Sequence, residues 1–256
     1  MKIPILIAAA VYLGAAVVYN GETAVFKFEN SVESSLKHTT VNNIALFPIP
    51  YNTKTNKVTL YIDGKKIDLK IKQKRYPFER LRVENKKITY DKNIAQRVAK
   101  EYKEASKIYN TVTNRTYIKG PFILPINSKI TSEYGTARIF NGKLKSFHSG
   151  VDFKAPIGTE IAAINGGEVV LAKDRYLAGK TVIIDHGKGV YSCYYHLSEI
   201  SVKKGDLVKK GEIVGRSGKS GRVTGPHLHL TIKIAGESVD PMQFIDSFNA
   251  IYDHRE

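Results

Sequence analysis

Gly225-Pro226-His227-Leu228-His229-Leu230-Thr231-Ile232 is the stretch on which the reading of this chain turns. The apolar, β-branched character of Leu228, Leu230, Thr231 and Ile232 points to a β-strand. Successive side chains of a strand face opposite ways, so His227 and His229 share one face. Two imidazoles on the same side of an apolar strand are costly to bury unless an ion or solvent satisfies them.

Upstream, His148 and Asp152 stand four apart in His148-Ser149-Gly150-Val151-Asp152. That even spacing keeps both on one face of a strand, and Gly150 also permits a looser turn; either way both can converge on a point. A fifth residue, His196, lies in Tyr195-His196-Leu197. A lone histidine on an apolar strand is more often packed core than a ligand. Five such residues in one β-rich segment nevertheless suit a zinc site, in which three ligands leave an open position and two histidines remain for proton chemistry.

Other candidates read as structural. His186 sits in the turn-like Asp185-His186-Gly187, and His38 and His254 read as surface residues, the latter in a solvated tail. Asp174, Asp206 and Asp240 fall in turns, where carboxylates cap backbone amides. Cys193 is the only cysteine, so it forms no intramolecular disulfide and reads as a small apolar filler rather than a catalytic thiol. The run Arg216-Ser217-Gly218-Lys219-Ser220-Gly221-Arg222 lacks phosphate-loop spacing and reads as a basic loop near the site.

Glycines punctuate short apolar runs at 168–171, 181–184 and 212–215, which predicts a mainly β fold with an antiparallel sandwich over 121–247 and a tail at 248–256. Before it, Val58, Leu60 and Ile62 alternate with polar neighbours, as do Ile67, Leu69 and Ile71. The Asp63-Gly64 step between them predicts a hairpin with one basic face. A second hairpin is expected from Leu81-Arg82-Val83 into Ile88-Thr89-Tyr90, giving a small β-rich domain over 19–90. Asp91 caps an expected connecting helix over 91–112, with Ile94, Val98, Tyr102, Ala105, Ile108, Tyr109 and Val112 as its apolar stripe. Residues 113–120 read as a linker.

The chain has 256 residues, with 40 Lys and Arg against 24 Asp and Glu, a net charge of +16. That balance draws it to nucleic acid, anionic lipid or an acidic polymer. Residues 1–18 narrow the choice. After Lys2 the run is uncharged and ends in Gly14-Ala15-Ala16, which reads as a secretory signal cleaved near Ala16-Val17, or as a membrane anchor. Export places the protein in the cell envelope or periplasm and argues against a nucleic-acid partner.

The His148/Asp152 motif, Tyr195-His196-Leu197 and Gly225-Pro226-His227-Leu228-His229 together resemble those of lysostaphin-type zinc peptidoglycan endopeptidases. The likeness extends through Ala155-Pro156-Ile157-Gly158-Thr159 and the 205–211 turn, covering about 121–245. The preceding part more loosely resembles an immunoglobulin-like domain found in an envelope subgroup. The resemblance implies one zinc ion held by His148, Asp152 and His229, with His196 and His227 as catalytic histidines. It also implies a peptidoglycan cross-link as substrate, the D-alanyl to diaminopimelate bond being preferred. A non-catalytic regulator of other wall hydrolases is the alternative, although such proteins usually lack the zinc ligands present here.

Overall fold

The computed structural model describes residues 15–81, 91–140 and 144–253. The N-terminal part runs β1 (Ala15–Tyr19), β2 (Thr23–Lys27), β3 (Val32–Ser34), β4 (Thr39–Val41) and β5 (Ile44–Pro48). It continues with β6 (Lys57–Ile62), β7 (Lys65–Lys72), β8 (Phe78–Leu81) and helix α1 (Lys92–Tyr109). Then come β9 (Ile130–Ser132), β10 (Ala137–Phe140), β11 (Leu144–Phe147), β12 (Val151–Lys154), β13 (Glu160–Ala162), β14 (Gly167–Arg175) and β15 (Gly179–Gly187). The chain closes with β16 (Val190–Leu197), β17 (Glu199–Ile200), β18 (Leu207–Val208), β19 (Ile213–Arg216), β20 (His227–Ile234), β21 (Glu237–Val239) and α2 (Pro241–Asp253).

The expected hairpin is present. Ile62 pairs with Lys65 across a two-residue turn in which Asp63 and Gly64 both take positive φ, the geometry that lets the strands keep their twist. Leu60, Ile62, Ile67, Leu69 and Ile71 are buried on its inner face. The second expected hairpin falls mostly on 82–90, outside the described residues. What is described of it, β8, pairs in parallel with β10, in a three-stranded sheet with β11. An N-terminal strand therefore braces the hairpin that leads directly into His148.

Two differences from expectation bear on organisation. Strand β1 begins inside the apolar segment read as a leader: it pairs in parallel with β7 and buries Val18. A cut between Ala16 and Val17 would fall within this strand. Among the described residues no helix is long and apolar enough to cross a membrane. The stretch 113–120, expected as a linker, is tied down instead: Tyr117 N–H donates to the His186 carbonyl, Thr116 bridges to Gly187, and Ile118 is buried.

The two halves share a layer. In the sheet β2-β5-β4, Ala24, Phe26, Ala45 and Phe47 pack with the hairpin core. Their neighbours Val25, Val41, Ile44 and Leu46 pack into the main core of the C-terminal half. Every residue of β5 is buried, because both of its faces are covered. The tail is not a tail either: α2 extends to Asp253 and buries Phe244, Ile245, Phe248 and Ile251. Asp240 Oδ1 caps it by accepting from the Met242 and Gln243 N–H groups, with Pro241 at the first helical position.

The C-terminal half is built on an antiparallel sheet of order β18-β14-β15-β16-β20-β12-β9, with β21 beside β20. One face buries Val151, Phe153, Val182, Ile184, Tyr194, Leu228, Leu230 and Ile232 in the main core. The opposite face carries Leu171, Ile183, Tyr191 and Cys193, covered by Ala105 and Tyr109 of α1. Asp91 caps that helix as expected, its carboxylate accepting from the Ile94 N–H. Its buried stripe differs: Tyr102 is 74% exposed, while Glu101 is buried. The Glu101 carboxylate accepts from Arg97 Nε and from the Tyr176 N–H, so a satisfied charge takes the inward position expected for an aromatic ring.

Candidate metal centre

The candidate metal ligands lie where the α1-bearing face of the large sheet emerges from under the helix. Asp152 on β12 pairs directly with His229 on β20, and His229 pairs with Tyr195 on β16. Strand alternation that sends Leu228 and Leu230 into the main core sends His227 and His229 the other way. His148 reaches the same point from the connection between β11 and β12. Its backbone is clamped on both sides, its N–H donating to the Thr136 carbonyl and its own carbonyl accepting from the Gly135 N–H.

His148 Nε2, Asp152 Oδ1 and His229 Nδ1 converge. His148 Nε2 lies 3.0 Å from Asp152 Oδ1 and 2.9 Å from His229 Nδ1, which is itself 2.9 Å from the same carboxylate oxygen. All three side chains are almost wholly buried. The outer ring nitrogens are already engaged. His148 Nδ1 donates to the Glu133 carbonyl at 2.9 Å, and His229 Nε2 meets Thr231 Oγ1 at 2.8 Å. That leaves two nitrogen lone pairs and a carboxylate aimed at one point, a donor set that suits one zinc ion.

Electrostatics agree with that donor set. Burial pushes the Asp152 carboxyl up, but the His148 and His229 imidazoles against it outweigh burial and hold the group well below the usual carboxylate range. Burial pushes His229 below the ordinary histidine value, so its neutral, ligating form is favoured.

The other two histidines stand beside this cluster. His196 should face the main core with Tyr194 and Leu197 around it, yet its backbone takes φ +62°, which breaks the alternation. The His196 ring centroid lies 5.0 Å from that of His227 and 6.1 Å from that of His229. His227 Nε2 is 3.7 Å from Asp152 Oδ1. His196 Nδ1 donates to the Ser220 carbonyl and His227 Nδ1 to the Gly225 carbonyl, both at 2.9 Å, so Nε2 is the proton-accepting atom of each ring. Burial, and then the neighbouring His229, push His196 down to about 3.

The structure thus brings all five sequence-predicted residues into one place, and the 216–222 loop, read as lying near the site, borders it through the Ser220 carbonyl. His186 is away from the site and wholly buried, as a structural residue would be. His38, expected at the surface, is half-buried and stacks on Phe47 with ring centroids 5.0 Å apart. His254 lies outside the described residues. Sequence reasoning missed the supports: Thr231, two residues along the face of His229, was legible from alternation, whereas the Glu133 and Ser220 carbonyls left no sequence signal.

Residues 146–241 match the family model described as peptidase family M23. The chain carries an M23 peptidase domain. Over 122 residues it is 41% identical to the peptidoglycan DD-endopeptidase ShyA of Vibrio cholerae, covering 46% of this chain and 28% of that protein. Over 95 residues it is 40% identical to the DD-carboxypeptidase/endopeptidase Mpg of Neisseria meningitidis, covering 37% of this chain and 22% of that protein. The chain thus matches about a quarter of the length of these two relatives. A solved Pseudomonas aeruginosa structure assigned to peptidase M23 superposes with a TM-score of 0.69 at 27% identity, covering 90% of this chain and 96% of that one. The M23 domain and the β-rich part before it are therefore shared as one arrangement.

Proposed function

We propose that this protein is an exported zinc endopeptidase that hydrolyses peptide cross-links of peptidoglycan, with His148, Asp152 and His229 as zinc ligands and His196 and His227 as catalytic residues. The observation that carries this reading is the convergence of His148 Nε2, Asp152 Oδ1 and His229 Nδ1, with two further histidines beside them. Zinc bound there would supply Lewis acidity, polarising a scissile carbonyl and acidifying water.

The chain's own residues do the rest. Asp152 contributes negative charge that favours a cation, and the Glu133 carbonyl and Thr231 hydroxyl fix the His148 and His229 rings for ligation. His196 and His227 divide two tasks at Nε2: one accepts a proton from the attacking water, and the other, protonated, donates to the substrate oxygen as charge builds on it. The fixed Nδ1 donors hold both rings in place for those steps.

The relatives' names, a peptidoglycan DD-endopeptidase and a DD-carboxypeptidase/endopeptidase, suit a bond between two D-configured centres, and the D-alanyl to diaminopimelate bond is the one of that kind this reading prefers. A net charge of +16 suits an acidic wall polymer, and the apolar start of the chain suits export to the envelope, with membrane association if that segment is retained. The test is digestion of purified cross-linked wall with and without a chelator, followed by mass analysis of the fragments. Cross-linked dimers should fall to monomers only without chelator, and His148→Ala should be inactive yet folded. Full activity in that variant would overturn the assignment.

A further inference from the structure

His229 has a neighbour that metal ligation does not explain. Tyr195 lies directly across from it in the β16–β20 register, and the two rings stack with centroids 5.2 Å apart and planes 18° from parallel. With Thr231 Oγ1 held at Nε2, this stacked ring leaves the imidazole little freedom to turn away from Asp152.

Tyr195 is itself held. Its hydroxyl lies 3.0 Å from the hydroxyl of Tyr109, the last residue of α1. Tyr109 is fixed from several sides: its ring meets Tyr191 edge-on at 6.2 Å, the Lys233 ammonium lies 5.0 Å from its centroid, and the Cys193 thiol donates to its hydroxyl at 3.6 Å. Ala105, Leu171 and Ile183 are buried in the same cluster, with Ile108 and Val170 packed against it. Phenylalanine would fill such a space without desolvating two hydroxyls, so mere packing does not account for a tyrosine pair there. Tyr109 also lies outside the 146–241 stretch that matches the M23 family.

We propose that Tyr195, pinned by Tyr109, is a positioning residue for His229, so that the helix preceding the M23 domain helps set the geometry of its metal centre. This rests on the reading of His148, Asp152 and His229 as zinc ligands. Partners of that kind typically change metal affinity by roughly 10- to 100-fold when removed.

The experiment uses the full chain, with zinc affinity measured by chelator competition and ligand geometry by the visible spectrum of the cobalt-substituted protein. Tyr195→Leu should weaken zinc binding by roughly 10- to 100-fold. Tyr109→Phe and Tyr195→Phe keep both rings and each remove the hydrogen bond that links them, so each should weaken binding by a similar factor and shift the cobalt spectrum; Tyr109→Phe also loses the weak Cys193 thiol contact, which does not touch His229. The double variant should then match either single one in zinc affinity, because the second substitution breaks no further link to the His229 ring. Melting of the zinc-free forms checks that the Phe variants remain folded. Phe variants with wild-type affinity and spectrum, or losses that multiply in the double variant, would overturn the relay while leaving the zinc site standing. A wild-type protein that binds no zinc would remove both.

Discussion

His186 should make this protein acid-sensitive in a defined window. The side chain is wholly buried in β15, with Nδ1 donating to the Gly166 carbonyl at 2.7 Å and Nε2 facing the Ser192 hydroxyl at 2.8 Å. Burial pushes it from the ordinary 6.5 down to about 4. Above pH 6.5 the imidazole is neutral in both folded and unfolded chains, and its contribution to stability is fully present. Between 6.5 and 4 the unfolded chain takes up a proton that the folded chain refuses, so stability falls as pH falls. Going from pH 7 to pH 4.5, this one group should remove roughly 2.5 kcal/mol, a large fraction of a typical folding stability. Urea denaturation of wild type and His186→Gln at both pH values, with chelator present, isolates it, because every other titrating group is common to the two proteins. The variant should be less stable at pH 7 and lose about 2.5 kcal/mol less on acidification. An equal acid loss in both proteins would refute the reasoning.

Two further outcomes concern the site. A β-carbon at Gly150 would lie 2.2 Å from the Leu230 carbonyl oxygen and 2.6 Å from His229 Nε2, so Gly150→Ala should lower the melting temperature and the zinc content together, at a cost of about 1–3 kcal/mol or more. His227→Ala and His196→Ala should each retain one zinc by metal analysis while wall digestion falls by at least about a hundredfold, whereas His148→Ala loses the metal as well.

Local pattern made much of this legible. The β6–β7 hairpin followed from two alternating runs around Asp63-Gly64, and the shared face of His227 and His229 followed from a spacing of two. What escaped was set by tertiary context. A left-handed residue redirects His196, and nothing in Tyr195-His196-Leu197 signals it. β5 buries both faces because a second core covers the side that a lone domain would leave wet. Glu101 displaced Tyr102 from the helix stripe because a backbone N–H of the neighbouring loop was there to receive its carboxylate. Helix α2 is different: Phe244, Ile245, Phe248 and Ile251 after Asp240-Pro241 carry a helical period and a start signal, so this element is legible in the sequence even though 248–256 reads as a tail.

The layer β2-β5-β4 has a mechanical meaning. A hinge needs a seam that few side chains cross, and here Leu46 and Phe47, neighbours on one strand, are committed to opposite cores. Swinging the N-terminal part away would strip Val25, Val41, Ile44 and Leu46 from the core beneath the metal centre. Heat should therefore melt the two halves together as one cooperative event, and truncating the first would unmake the second.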